Sequence, residues 1–194
     1  MKLDRPQDAT PIRPEDLADL IPDLKSQEEL NDFEQKNIAL AEQWAPKSRG
    51  LKKGFPSNET LKLLHKKMFD KTWKWAGEFR IKELSIGIEW SQISTEVKKL
   101  CDDVHYWIEH ETYPWNEIAA RFHHRLVFIH PFMNGNGRHA RLATEILLSE
   151  HGQEVFTWGS ERIDKRGQTR DDYVTALKAA DKGNYQPLIK FVRT

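Results

Sequence analysis

The sequence predicts an all-α protein that carries one small β-hairpin. Apolar residues recur at helical spacing along most of the chain, and proline, glycine or a capping residue separates these stretches. One short segment has strand character instead. A chain of 194 residues is long enough for one large domain with a buried core. We therefore expect a helical domain over 26–194, preceded by an N-terminal arm over 1–25.

The arm and the first helix differ in pattern. Proline and acidic residues dominate 1–25, where only 14–20 has helical character. Ser26 opens a capping-box sequence, so the first helix should begin there and end at Pro46. Asn37 lies on the apolar stripe of this helix. We expect a core amide, and contact with a functional site is the alternative.

A basic loop over 46–57 should lead to a second helix, which starts at about Ser57 or Asn58 and turns His65 into the core. Residues 79–90 surround Gly87 with apolar and aromatic side chains and are predicted to form the β-hairpin. Either this hairpin merely covers the core, or its edge captures a peptide by strand pairing. The residues leave both interpretations open.

The remaining helices follow from the same periodicity. Cys101 lies on an apolar stripe and should be a small core residue; as the single cysteine, it excludes an internal disulfide. Helix starts, turns or stops are expected at Ser91 or Ser94, Tyr113-Pro114, His151-Gly152, Thr169, Gly183 and Pro187.

The stretch that carries the chemistry is a loop between two helices, with the sequence His130-Pro131-Phe132-Met133-Asn134-Gly135-Asn136-Gly137-Arg138-His139-Ala140-Arg141. Proline disfavours helical dihedrals at the preceding residue, so the incoming helix should end at the histidine. The two glycines permit positive φ and carry no Cβ, so several backbone N–H groups can turn toward one anion.

The outgoing helix should start at about Asn136 to Arg138, where unpaired N–H groups and the helix dipole attract negative charge. Arg138 and Arg141 lie three residues apart and offer planar donor forks for phosphate oxygens. The pattern predicts a polyphosphate site. His130 is placed to take a proton from an incoming hydroxyl, because a reference pKa of about 6.5 leaves much of it neutral at pH 7. The alternatives are a plain turn, a solvated arginine face and a structural histidine.

This loop resembles the motif of the Fic (Fido) family, His-x-Phe-x-Asp/Glu-Gly-Asn-Gly-Arg-x-x-Arg. The resemblance implies a Fic-type helical bundle over 26–192 and a transferase that moves AMP, or a related phosphate-linked group, from a nucleotide such as ATP onto a protein hydroxyl. It implies that His130 is the general base and that Phe132, after the rigid Pro131, anchors the loop in the core. The remaining matches are Gly135, Asn136 and Gly137, which would form the anion hole, and Arg138 and Arg141, which would hold the outer phosphates.

One position departs from the motif. Where the family has Asp or Glu, this chain has Asn134, and in active members the carboxylate binds the Mg²⁺ that bridges the phosphates. A neutral amide oxygen is a weaker ligand for a hard cation, so Mg²⁺ affinity should fall. Asn134 could support the ion through its oxygen or a bound water, suit another donor or mark a slow or inactive site. The alternative function is therefore a nucleotide-binding regulatory module with little or no turnover; hydrolysis of a modified protein is a third hypothesis.

The resemblance implies further roles. Tyr173 would contact the nucleotide base, with a plain core residue as the alternative. Glu34 would be an inhibitory partner of Arg141, with a solvated helix charge as the alternative, because the first helix does not match the family's inhibitory pattern. The segment 79–90 would be a flap that docks the target protein. The chain resembles most the bacterial branch called mobile mystery protein B, found with mobile elements.

Composition limits the partners. Lysine plus arginine equals aspartate plus glutamate at 30 each, so no global field favours nucleic acid or an anionic membrane. No apolar run or leader predicts membrane insertion, and a cytoplasmic location is the expectation. His123 and His130 would lie about 10 Å apart along a helix, too far to share a zinc ion. The expected partners are a nucleoside triphosphate and a target protein, and a dimer or an antitoxin-like regulator remains open.

Overall fold

The computed structural model of the chain describes residues 14–160 and 167–194. The expectation of an all-α protein is confirmed, since these residues form helices and no β-strand. The α-helices are α1 (Gln27–Trp44), α2 (Arg49–Lys52), α3 (Asn58–Phe69), α4 (Ile93–Glu109), α5 (Trp115–Ile129), α6 (Asn136–Glu150), α7 (Gln168–Ala180) and α8 (Gln186–Phe191). Short 3-10 turns cover Pro14–Asp19, Ala45–Lys47, Trp90–Gln92 and Trp158–Ser160. Residues 1–13 of the predicted arm lie outside the described residues.

Two serines start helices as expected, and two do not. Ser26 caps α1, because its Oγ accepts the backbone N–H of Glu29 at 3.1 Å. Ser57 caps α3 in a full capping box. The cap expected for α4 at Ser91 or Ser94 is wrong, since that helix begins at Ile93 without a side-chain cap. The Ser94 side chain instead lies 3.1 Å from Nδ2 of Asn58.

Two apolar clusters form the core, and the α5–α6 pair contributes to both. The larger cluster joins α1, α3 and α4 to the facing sides of α5 and α6. The smaller one packs α7 and α8 against Ala119, Ala120 and Leu148. The loop between α5 and α6 therefore lies at the end of the central helix pair. None of the helices within 14–160 and 167–194 combines the length and apolar character that a membrane-spanning helix needs.

Two polar side chains in the core behave as expected. Asn37 is a core amide, whose Nδ2 donates to Oγ1 of Thr72 at 3.1 Å. Cys101 is 3% exposed, and burial raises the pKa of its thiol to about 12. A thiol with such a pKa is not a nucleophile near neutrality, so the structural interpretation of this cysteine is confirmed.

The β-hairpin expected over 79–90 is not present, because this segment contains bends and no paired strands. Its backbone N–H groups donate to the end of α5 and to the loop that follows, and not to a second strand of the same segment. The N–H of Arg80 donates to the carbonyl of Pro131 at 2.9 Å, and the N–H of Ile88 donates to the carbonyl of Ile129 at 3.3 Å. The strand-like composition thus forms an irregular loop that lies against the end of α5.

Candidate active site

The end of α5 has an unusual backbone conformation. Helix α5 stops at Ile129, and His130 follows with φ 55° and ψ 59° in the left-handed region. Few residues with a Cβ adopt this region, because it costs roughly 1–2 kcal/mol. Its N–H still donates to the carbonyl of Leu126 at 3.2 Å, which closes the last helical turn. The histidine that precedes Pro131 therefore ends the helix, as the sequence predicts, in a conformation that other contacts must hold.

The ring of His130 lies deeper than the rim position that the sequence suggests, with 8% of the residue exposed. Its Nδ1 lies 3.3 Å from the carbonyl oxygen of Val127. A carbonyl only accepts, so Nδ1 carries the hydrogen and the lone pair of the neutral ring is on Nε2. Burial lowers the pKa of His130 to about 4, with a contribution from the positive charge of Arg80. The ring is thus neutral at pH 7, as a proton acceptor must be.

The start of α6 has the backbone geometry that the sequence predicts; anion binding there stays a prediction. Gly135 precedes the helix with φ 77°, and a Cβ added there would lie 2.5 Å from Cζ of Phe69. Only glycine fits this position. The first three residues of the helix are Asn136, Gly137 and Arg138, whose N–H groups have no carbonyl partner within the helix.

Two asparagines hold the loop by their side chains. Asn136 is 3% exposed; its Oδ1 accepts the N–H of Phe132, and its Nδ2 donates to the carbonyl of Phe132, both at 2.8 Å. Asn134 folds back so that its Oδ1 accepts the N–H of Gly135 at 2.6 Å. The Gly135 amide, expected in the anion hole, is therefore bonded to a protein oxygen in this structure.

His65 supports the same loop from α3. Its Nδ1 accepts the N–H of Gly77 at 3.0 Å, so its Nε2 is the donor to the carbonyl of Asn134 at 3.1 Å. Its ring stacks on Phe132 with centroids 3.7 Å apart. Burial lowers its pKa well below the usual value, so the ring stays neutral. We expected a core histidine, which is correct, but sequence periodicity gave no signal for its bond to the loop.

The first motif arginine is bonded to α1. Nη1 of Arg138 lies 2.7 Å from Oε2 of Glu34, and the indole N–H of Trp73 donates to Oε1 of Glu34 at 2.7 Å. Glu34 is 3% exposed, so its interpretation as a solvated helix charge is wrong. The arginine that it contacts is also Arg138, whereas we had expected Arg141. The carboxylate of Glu34 is thus buried beside the indole of Trp73.

The second motif arginine lies beside the first turn of α6, since Nη1 of Arg141 is 3.8 Å from where a Gly137 Cβ would be. A hydrogen bond links it to Tyr173, and burial raises the pKa of that phenol. The Tyr173 hydroxyl also lies 2.8 Å from Nε2 of His123. Burial lowers the pKa of His123 to about 3, and the charge of Arg141 adds to this effect. Tyr173 is 5% exposed and packs behind the arginine; its contact with a nucleotide base stays a prediction.

The residues present do not form a site for a resident Mg²⁺. Over the described ranges, no three His, Cys, Asp or Glu side chains come together to hold a metal ion. At the motif position itself the donor is the neutral oxygen of Asn134, which already accepts the N–H of Gly135. A hard cation prefers charged carboxylate or phosphate oxygens, so no step of the chemistry is assigned to a protein-held metal.

Comparison with known proteins shows which family this site is similar to. The sequence model of the Fic/DOC family matches residues 55–148, a range that contains α3, α4, α5, the motif loop and most of α6. The match covers just under half of the chain. The chain resembles the protein adenylyltransferase Fic of Nematostella vectensis, at 41% identity over 76 residues, which are 39% of this chain and 16% of that protein. It also resembles the protein adenylyltransferase Fic of Drosophila grimshawi, at 32% identity over 120 residues, or 60% of this chain and 23% of that protein.

Solved structures confirm the Fic-type helical fold. BepC from Bartonella tribocorum, solved with bound AMPPNP, aligns with a TM-score of 0.67 at 20% identity, over 88% of this chain and 87% of that one. Fic-1 (aa134–508) from C. elegans aligns with a TM-score of 0.64 at 24% identity, over 90% of this chain and 50% of that one. The chain spans less than a quarter of the curated relatives above, so their activities come to it only as a proposal.

Proposed function

We propose that this chain is a Fic-type nucleotidyltransferase that moves AMP from ATP onto a hydroxyl side chain of a target protein. The observation that carries the proposal is the neutral His130, whose lone pair on Nε2 follows from the Nδ1 contact. A short loop joins it to a helix N-terminus suited to an anion, with Arg138 on the first turn and Arg141 on the second. The relatives named protein adenylyltransferase and the AMPPNP-bound BepC support the same assignment.

In the proposed reaction the target hydroxyl oxygen attacks the α-phosphorus of ATP. A new phosphorus–oxygen bond forms, the bond from the α-phosphorus to the bridging oxygen breaks, and pyrophosphate leaves. Nε2 of His130 takes the hydroxyl proton. The bound polyphosphate would raise the pKa of the imidazole above about 4, because nearby negative charge favours the protonated ring. The amides of α6 and the two arginines would stabilise the charge that moves onto the leaving group.

The target protein would dock on the loop over 79–90. Ile81 is 74% exposed and Trp90 is 43% exposed, so the loop presents apolar side chains beside the end of α5. An irregular loop held by its backbone to Ile129 and Pro131 could still place a target segment near His130. The mobile mystery protein B branch, the cytoplasmic location and a dimer or antitoxin-like regulator stay predictions from the sequence.

Labelled ATP tests the proposal directly. The purified chain is incubated with cell lysate and ATP labelled at the α- or the γ-phosphate, with and without Mg²⁺. We expect labelling that depends on the added chain to come from the α-label and not from the γ-label, and to be lost in His130→Ala. His110→Ala is the matched control, since that histidine lies at the exposed C-terminal end of α4. Chain-dependent labelling that survives in His130→Ala, or that comes from the γ-phosphate, would refute the proposal.

The regulatory alternative has its own outcome in the same experiment. If calorimetry shows ATP binding but the α-label never reaches protein in the parent or in Asn134→Asp, the chain is a nucleotide-binding module. If Asn134→Asp gains labelling in the presence of Mg²⁺, the parent is a transferase limited at that position. Release of label from premodified protein would instead indicate hydrolysis.

A further inference from the structure

Arg80 is a buried charge that the proposed chemistry does not use. It is 2% exposed, and its guanidinium donates to three backbone carbonyls. Nε donates to His130 at 2.8 Å, Nη1 donates to Lys82 at 2.9 Å, and Nη2 donates to Ile88. The nearest described carboxylate oxygen, on Glu83, is 3.8 Å away, and that side chain is 58% exposed. A buried charge is costly unless its hydrogen bonds are satisfied, so this arrangement of carbonyls is specific to a guanidinium.

Arg80 also holds the 80–88 loop against His130. The backbone N–H of Arg80 donates to the carbonyl of Pro131 at 2.9 Å. At Gly87, whose φ is +97°, an added Cβ would lie 2.6 Å from Cβ of His130 and 2.9 Å from Nη2 of Arg80. The 80–88 loop therefore lies directly against His130, with the guanidinium enclosed between the loop and the end of α5.

The hydrogen bond from Arg80 is made at the strained backbone of His130. A left-handed residue with a Cβ persists only where its surroundings hold it. This conformation turns the carbonyl of His130 away from the helix axis direction. The carbonyl accepts the Nε–H of Arg80 at 2.8 Å. A charge-assisted hydrogen bond of this kind is roughly twice as strong as a neutral one, so it can offset much of the backbone cost.

We propose that Arg80 is a positioning residue for His130, which holds the histidine backbone in its left-handed conformation and so directs Nε2 toward the incoming hydroxyl. The catalytic consequence rests on the proposed transfer activity, whereas the positioning itself does not. Among the described residues, the hydrogen bonds of Arg80 go to the 80–88 loop, His130 and Pro131. Its loss should therefore change the rate of transfer more than the binding of ATP.

The charge of Arg80 also changes the pKa of His130. The pKa of His130 is lowered first by burial and then by the charge of Arg80, while the hydrogen bond to Val127 raises it. Arg80 is thus a charged group that acts on this ring. Because burial also lowers this pKa, the titration is recorded together with the ring tautomer, which reports the contact of Nδ1 with the carbonyl of Val127.

The first experiment measures His130 itself by NMR, independent of any activity. Long-range nitrogen–carbon correlations of the histidine rings are recorded against pH for the parent, Arg80→Met, Arg80→Lys and Arg121→Met, with His130→Gln to assign the signal. Arg121→Met is the matched control, since it removes a guanidinium from α5 that pairs with Glu117.

In the parent and in the control, His130 should show the Nδ1–H tautomer and titrate near pH 4, following its pKa of about 4. In Arg80→Met the pKa should rise above about 4, because the charge that helps to lower it is removed while burial remains, and the tautomer preference should be lost. An unchanged tautomer and titration in Arg80→Met would overturn the proposal. If Arg80→Met does not fold, Arg80→Lys decides, because an ammonium keeps the charge but cannot reach the three carbonyls together.

The second experiment measures transfer kinetics. We expect kcat to fall on the order of 100-fold in both Arg80 variants, the size of effect that a misplacement of about 1 Å produces, with the KM for ATP within about twofold of the parent. A raised KM with unchanged kcat would overturn the proposal, since it would place Arg80 in nucleotide binding. If the parent transfers nothing, the proposed function fails, and the NMR result still decides whether Arg80 positions His130.

Discussion

Replacement of Glu34 by glutamine should strengthen nucleotide binding, because this carboxylate and a phosphate compete for the same guanidinium. Oε2 of Glu34 lies 2.7 Å from Nη1 of Arg138. Glutamine keeps an oxygen for the indole N–H of Trp73, which donates to Oε1 at 2.7 Å in the parent. The substitution therefore removes the negative charge with little change in packing.

The size of the gain follows from the strength of that contact. A hydrogen bond to a charged group contributes about 1.5–3 kcal/mol. The Arg138 side chain is 25% exposed, so water weakens the pair, and we expect a contribution around or just below the lower end of that range, about 1–2 kcal/mol. This free energy corresponds to about 5- to 30-fold tighter nucleotide binding in Glu34→Gln.

Calorimetry with α,β-methylene ATP tests the expectation, because its α–β bridge cannot be broken and binding is measured without transfer. Glu28→Gln is the matched control, an exposed glutamate in the first turn of the same helix. Unchanged or weaker binding in Glu34→Gln, or an equal gain in Glu28→Gln, would refute competition at Arg138. Automodification of Glu34→Gly, measured with α-labelled ATP, should increase in parallel.

Three further predictions concern the loop and the core beneath it. Asn134→Asp should make transfer depend on Mg²⁺ and increase it, because a carboxylate binds a hard cation and suits a helix N-terminus; equal labelling with and without Mg²⁺ would contradict this. Acid should destabilise the fold. Burial lowers the pKa of His139 to about 4. Between about pH 6.5 and pH 4, the unfolded chain therefore binds a proton that the native ring does not. Urea unfolding should show about 2 kcal/mol less stability at pH 5 than at pH 7 from each such histidine, and equal values would contradict it. Gly135→Ala should lower the free energy of unfolding by about 2 kcal/mol or more, because its Cβ would lie 2.5 Å from Phe69. Gly50→Ala is the control, since an added Cβ there meets nothing within 4 Å. Equal unfolding midpoints for the two variants would count against the clash.

Much of the helical framework could be predicted because its signals are local. Ser26 and Ser57 cap helices within three residues of themselves, and Pro131 ends α5 through its immediate neighbour. The start of α6 at Asn136 likewise follows from the adjacent glycines. Each of these features depends on a few consecutive residues, which a reading of spacing and residue type detects.

The contacts that complete the site could not be predicted, because they join distant parts of the chain. His65 and Asn134 are 69 positions apart, Arg80 and His130 are 50 apart, and Glu34 and Arg138 are 104 apart. Periodicity reports which face of a helix is buried and not which side chain it meets there. Glu34 shows the consequence, since a glutamate on α1 gave no local sign that Trp73 and Arg138 would hold it in the interior.

The missing hairpin has a similar cause. The β-branched and aromatic residues over 79–90 favour a strand, but strand preference depends on the partners that the backbone finds. Here the carbonyls of Lys82 and Ile88, which a hairpin would use for pairing, accept the guanidinium of Arg80. The guanidinium of Arg80 therefore takes hydrogen bonds that strand pairing would otherwise form. A pattern of apolar residues does not predict this.

Two protein oxygens already occupy donors that the proposed reaction assigns to phosphate. Oδ1 of Asn134 accepts the N–H of Gly135 at 2.6 Å, and Oε2 of Glu34 accepts from Arg138 at 2.7 Å. An entering nucleotide would exchange one oxygen for another at both donors, so its affinity would be a difference between two similar hydrogen-bond sets. Asn134 is neutral and Glu34 is charged, so the glutamate is the stronger competitor. We therefore expect nucleotide affinity to respond more to a change at Glu34 than to Asn134→Ala.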